Sequence, residues 1–143
     1  PYEIDFDDFD ATAVHWLAYD SNLTPIGTAR MLIDGRFGRM AVLKPSRNQG
    51  AGRLIMLAAI DYATALGMPA MFLHAQLPAQ AFYQSLGFEP CGEVFRDAGM
   101  DHMAMRIDLE YPLWSILAQY SSGLEVNRLS FIKDFFIVFY TDH

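Results

Sequence analysis

Arg47, Asn48, Gln49, Gly50, Ala51, Gly52 and Arg53 follow one another between an apolar run ending near Leu43 and an amphipathic stretch beginning near Ala51. Together these residue types can hold a phosphorylated ligand. A helix N-terminus presents unpaired N–H groups and the positive end of the aligned peptide dipoles, so a diphosphate can sit there if the backbone approaches it closely. Gly50 and Gly52 carry no side chain to block that approach. Six of the ten basic residues, Arg30, Arg36, Arg39, Lys44, Arg47 and Arg53, fall between positions 30 and 53, where Asp34 is the only acid. A locally basic face on an acidic chain suits a small anionic ligand, although a solvated charged face explains Arg30, Arg36 and Arg39 equally well.

Such a loop works only if a strand leads into it and a helix leaves it. Residues 13–19 alternate in β-forming types, Asp20, Ser21, Asn22 and Pro25 signal a turn, and residues 26–33 resume as a second strand. Asp34-Gly35 marks a hairpin into a third strand over 37–43. The spacing of Leu54, Ile55, Ala58, Ala59, Tyr62 and Leu66 predicts a helix over 51–66 with one apolar stripe, closed by Gly67 and kept from resuming by Pro69. Residues 70–75 form a continuously apolar run of the kind buried on both faces, expected as a strand parallel to the one before the helix. Pro78 opens a short helix through Leu86, Gly87 ends it, and residues 91–95 and 102–109 read as a final hairpin. A mixed α/β architecture follows.

The chain has 143 residues, 52% of them apolar, which is one domain's worth and excludes disorder. A net charge of −7 argues against a general nucleic-acid binder, because phosphate backbones require a basic surface. No run reaches the roughly 18 apolar residues that span a bilayer, and the acidic start at residues 1–10 lacks a signal peptide's basic head. One cysteine, Cys91, precludes an internal disulfide and suits a reducing compartment, so the cytoplasm is the expected location. Cys91 itself reads as a small buried residue. The four histidines are scattered and no Cys-x-x-Cys occurs, so no metal site is expected.

Two familiar phosphate signatures do not fit the loop. No Gly-Lys-Ser/Thr follows it, and Ile55 stands where a dinucleotide fingerprint needs a third glycine. Residues 47–52 instead fit R/Q-x-x-G-x-G/A, and residues 79–88, AQAFYQSLGF, fit A-x-x-[FL]-Y-x-x-x-G-F. In this order, with helix and strand between them, the two segments resemble the coenzyme A loop and the following helix of the GCN5-related N-acetyltransferase (GNAT) family. Leu73-His74-Ala75-Gln76, Gly92-Glu93 and Gly99-Met100-Asp101-His102 are similar to its small ElaA-like branch. The resemblance covers residues 1–109, expected as the acetyltransferase domain, with 110–143 an extension packed on it or on a partner subunit.

This resemblance implies a twisted, mostly antiparallel sheet flanked by helices, with a central parallel strand pair that splays open at a bulge. It also implies that the chain begins late, without the usual first strand and helix. The gap between the strands at 37–43 and 70–75 is then filled by the coenzyme's pantetheine arm. Backbone contacts to that arm are expected from Met40, Ala41 and Val42, and pyrophosphate contacts from the amides of Asn48, Gln49, Gly50, Ala51, Gly52 and Arg53, aided by the Arg47 and Arg53 side chains. Gln76 stands where many members carry a coenzyme-contacting asparagine. The implied reaction takes acetyl from acetyl-CoA to an amine without metal, the alternative being a non-catalytic acyl-CoA binding module.

Direct acyl transfer needs an oxyanion donor, a proton for the departing thiolate and a base for the amine. A backbone N–H near Val42 is the expected oxyanion donor. Tyr83 is the expected acid, since a phenol of pKa about 10 can reprotonate a thiolate whose acid has a pKa of about 8.5. His74, Glu93, His102 and water all remain open as the base, with His74 read as a core histidine because its surroundings are so apolar. Small amines, polyamines, aminoglycosides and protein amines remain open as acceptors.

The segment FIKDFFIVFY at 131–140 is strongly β-forming and needs a partner. It is expected at the vacant sheet edge, within the chain or by exchange across a homodimer. Residues 113–120, opened by Pro112 and closed by Gly123, are expected to be helical.

Overall fold

The computed structural model describes residues 13–109 and 135–141. The acidic head at 1–10 and the expected helix at 113–120 lie outside these residues. The first three strands, β1 (Val14–Asp20), β2 (Pro25–Met31) and β3 (Phe37–Val42), form an antiparallel meander. Its outer neighbour is β8 (Phe135–Thr141), which runs antiparallel to β1 with Val14 opposite Thr141 and Asp20 opposite Phe135. The strand-forming tail therefore takes the free side of β1 within the same chain, one of the two arrangements expected of it.

Helix α1 (Ala51–Ala65) follows β3 across the glycine loop and covers the meander. Ala51, Ile55, Met56, Ala59 and Ala63 are its buried residues, a run at helical spacing that presses into the core. The stripe is rotated from the expected one, because Met56 and Ala63 are inside while Leu66, at 61% exposure, is out. Trp16 on β1 anchors this core at 0% exposure, with the Tyr62 ring edge-on at 5.7 Å and Phe37 at 6.3 Å.

A second sheet holds β4 (Ala70–Gln76), which lies antiparallel to β7 (Met100–Asp108) over its whole length. Helix α2 (Gln80–Ser85) comes next, after a single tight turn at Leu77–Ala79 opened by proline. The short strands β5 (Glu89–Pro90) and β6 (Phe95–Asp97) both pair with β7. Residues 91–95 are thus mostly loop rather than strand. Cys91 is exposed, not buried, because its chain crosses open surface with its amide donating to the Ala104 carbonyl.

One parallel bridge, Arg36 to Phe72, joins the two sheets, and there the Phe72 amide donates to the Gly35 carbonyl at 2.9 Å. Gly35 is fitted to this crossing. Its φ is +93°, and a Cβ there would stand 2.5 Å from the Ala70 carbonyl oxygen. A left-handed conformation costs a non-glycine residue roughly 1–3 kcal/mol even without a clash. Gly35→Ala is therefore expected to destabilise the fold by about 2 kcal/mol or more, read as a lowered denaturant midpoint at unchanged slope.

Candidate active site

Beyond the Arg36 to Phe72 bridge the two strands part, and β3 shows why. Thr28 faces Ala41 but Arg30 faces Gly38, so β3 carries one extra residue opposite Ala29. Arg39 takes this bulge with φ +50°. A bulge bends its strand and re-aims the residues beyond it. The two sides of the gap then line two adjoining cavities. The smaller, about 340 Å³, is bounded by Met40 and Gly38 of β3, His74 and Gln76 of β4, Tyr83 of α2, and His102 of β7. The larger, about 830 Å³, holds His74 and His102 again together with Arg30, Arg36, Arg39 and Asp97. Volumes of this size suit small-molecule ligands.

Backbone groups face into the gap from both strands. Leu43 donates to the Ile26 carbonyl at 2.7 Å, which makes Leu43–Ile26 a bonded pair of the β2–β3 ladder. Bonded and non-bonded pairs alternate in an antiparallel ladder, so Ala41 turns its amide and carbonyl to Thr28 while those of Val42 point away from β2. The Val42 carbonyl meets Arg47, whose Nε donates to it at 2.9 Å. On the opposite strand, the Phe72 amide faces Gly35, so by the same alternation the main-chain groups of His74 and Gln76 face the gap. Of the three expected backbone sites on β3, Ala41 is therefore the one whose polar groups are turned inward to the sheet.

The glycine loop continues from β3. A single tight turn, Lys44–Ser46, leads to Asn48 with φ +61°, and Gly50 caps α1 with φ +91°. Gly50 is explained by that backbone angle. Gly52 is not, because it lies inside the helix and a Cβ there would meet only the Met40 thioether, at ordinary contact distances of 3.7 and 3.9 Å. Internal packing does not require either glycine, and a Cβ on Gly50 would meet nothing within 4 Å. Arg53 projects from the first helical turn toward α2, with Nη1 donating to Ser85 Oγ at 3.4 Å.

Tyr83, His74 and His102 line the gap from the side of β4. Phe82 and Phe88 pack edge-on against the Tyr83 ring, with centroids at 5.0 and 6.1 Å. Burial raises its phenol above the usual pKa of 10.0. His74 is exposed at the gap rather than a core histidine; the residues alternating with it, Leu73 and Ala75, are the buried ones. Its ring lies edge-on to Phe95 at 4.9 Å, and His102 stacks on Phe95 at 5.7 Å. The apolar run misleads here because only one face of β4, carrying Met71, Leu73 and Ala75, is buried, while the face with Phe72, His74 and Gln76 is open. Glu93 lines neither cavity. Phe95 and Asp97 carried no sequence signal, since only the pairing of β6 with β7 places them beside His102.

The model of the acetyltransferase (GNAT) domain family matches residues 7–109. The chain belongs to the GNAT family. A Bacillus subtilis protein named as a candidate acetyltransferase is 37% identical over 111 residues, which cover 73% of this chain and 75% of that one. YjcF of the same organism, named as an uncharacterized N-acetyltransferase, is 33% identical over 76% of this chain and 79% of its own. The crystal structure of Escherichia coli ElaA superposes with a TM-score of 0.65 at 30% identity, covering 72% of this chain and 74% of that one. As a GNAT protein the chain is an acyltransferase, and transfer of an acyl group from acyl-CoA is its chemistry. Among the described residues no group of three or more His, Cys, Asp or Glu is placed to hold a metal, and no helix is long and apolar enough to cross a membrane.

The raised Tyr83 pKa has a measurable consequence. The folded chain keeps this proton to higher pH than the unfolded chain does, so stability falls as pH climbs past the unfolded value of about 10. Ultraviolet titration of wild type against Tyr83→Phe is expected to show one phenol ionising later than an unperturbed tyrosine, and the variant is expected to lose less stability at alkaline pH.

Proposed function

We propose that the chain is an N-acetyltransferase that takes acetyl from acetyl-CoA and passes it to an amine, which attacks the thioester directly. The observation that carries this reading is Gly52, a glycine in the first turn of a helix whose missing side chain serves no internal packing. It leaves the N-terminal amides of α1 open at the mouth of two parted strands. That combination fits a ligand with a diphosphate joined to an extended, amide-bearing arm.

In this reading the amides of Asn48, Gln49, Gly50, Ala51, Gly52 and Arg53 hold the diphosphate. Arg47 and Arg53 add charge-assisted bonds. Arg47 already spends its Nε on the Val42 carbonyl, so it also ties the loop to the bulged strand. Met40 and Val42 on one side and Gln76 on the other receive the pantetheine arm, with Ala41 contributing surface rather than backbone hydrogen bonds. The Val42 N–H stabilises the developing oxyanion.

Tyr83 supplies the proton for the departing thiolate. The phenol is protonated at neutral pH and so holds the proton to give; burial makes it a weaker acid, so the transfer is coupled to the breaking of the carbon–sulfur bond. A thioester provides a good leaving group and an activated carbonyl; positioning and proton supply are what the protein adds. Arginines and aspartates together line the larger cavity, so the acceptor's own charge pattern is set there.

Calorimetry with acetyl-CoA, followed by release of free thiol in the presence of an amine panel, tests the reading. Gly52→Ala is expected to stabilise the fold by up to about 1 kcal/mol, since alanine is the better helix former. The same variant is expected to weaken acetyl-CoA binding about tenfold or more, about 1.4 kcal/mol. Tyr83→Phe is expected to lower kcat about 100-fold with little change in affinity. Unchanged binding by Gly52→Ala, or an undiminished kcat for Tyr83→Phe, contradicts the assignment.

A further inference from the structure

We infer that His102 is the general base that receives the acceptor amine's proton, an assignment that rests on the N-acetyltransferase reading above. Three side chains are open for this role on sequence grounds, and the structure separates them. Glu93 lines neither cavity. His74 and His102 line both, so each stands where the cavities meet.

What distinguishes His102 is its tether. Its Nδ1 lies 2.9 Å from the Met100 carbonyl oxygen. A carbonyl only accepts, so Nδ1 must carry the proton that is donated to it. In the neutral ring that leaves the lone pair on Nε2, at the opposite corner of the imidazole. Stacking on Phe95, with the two rings inclined by only 24°, holds the plane of the ring. The tether and the stack therefore fix both the tautomer and the orientation, which is what a base needs before its substrate arrives. His74 touches Phe95 edge-on at 74°. That contact orients a ring without choosing its tautomer.

In the transfer step the amine nitrogen forms a bond to the thioester carbonyl carbon and gives a proton to His102 Nε2. The carbon–sulfur bond breaks, and the sulfur takes the phenolic proton of Tyr83. Exchange with solvent returns His102 to neutrality and restores the phenol, leaving amide and free thiol as products. Arg39 of β3, Arg36 and Asp34 of the turn before it, His74 of β4, Asp97 of β6 and Tyr83 of α2 line the same cavities. Any of them can colour the pH profile, so variants rather than the wild-type curve alone must assign its limbs.

Two measurements on the whole chain test this. Imidazole nitrogen NMR of the unliganded wild type, at a pH where the ring is neutral, is expected to show His102 with its proton on Nδ1; a proton on Nε2 overturns the inference. Thiol release is then followed from acetyl-CoA with spermidine, kanamycin and a peptide bearing a free N-terminus. His102→Gln is expected to lower kcat about 100-fold or more and to flatten the acidic limb of the pH profile, while still binding acetyl-CoA in calorimetry. Glu93→Gln is expected to keep the wild-type limb. If His102→Gln retains that limb while the wild type turns over, the base is elsewhere and the transferase reading stands. A wild type that turns over none of these amines overturns both.

Discussion

Backbone hydrogen bonds hold neighbouring strands together until something denies them a partner, and in this chain the denial comes at Arg39. One extra residue in β3, held at φ +50°, bends the strand away from β4 directly after the two have met at Arg36 and Phe72. Amides and carbonyls that a continuous sheet would satisfy internally are turned into a gap instead. Both cavities and the position of the glycine loop follow from this divergence. The crossing at Gly35 fixes where it starts, and the β4–β7 ladder keeps the far wall straight.

This geometry divides the cluster of basic residues that looks uniform in the sequence. Arg30, Arg36 and Arg39 go to the larger cavity, among Asp34 and Asp97, and Arg36 is held by Asp34 at 2.8 Å. Arg47 and Arg53 go to the loop and the first turn of α1, one bound to Val42 and the other reaching Ser85. A single anionic ligand spread along the whole cluster is not what the fold provides. Two neighbouring regions with different charge patterns suit a donor and an acceptor approaching from opposite ends of the gap.

Much of this architecture is legible in the residues alone. Alternation in the first strand, the turn residues that bound the second, the turn chemistry at Asp34-Gly35 and the apolar spacing of α1 are local signals, and local signals locate those elements to within a few residues. That the tail takes a sheet edge is also readable, because a segment as strongly β-forming as the sequence at 131–140 needs a partner, and residues 135–141 find it at β1. The features that escape depend on tertiary context. An arginine at a left-handed φ gives no sign of itself, so the site of the bulge cannot be read. His74 looks like a core residue because an apolar run of this kind reads as buried on both faces, whereas one face of β4 is open. Phe95, Asp97 and the stack on His102 exist only through the register of β6 against β7.

The gap between β3 and β4, with the open glycine loop at its mouth, is where the acyl donor is expected to bind. Backbone amide NMR of the whole chain during titration with coenzyme A tests it most directly. Saturable shifts are expected at residues 40, 42, 48–53, 74 and 76, with the opposite edge of the meander undisturbed. Shifts absent from the loop, or gathered on another face of the molecule, would contradict that placement.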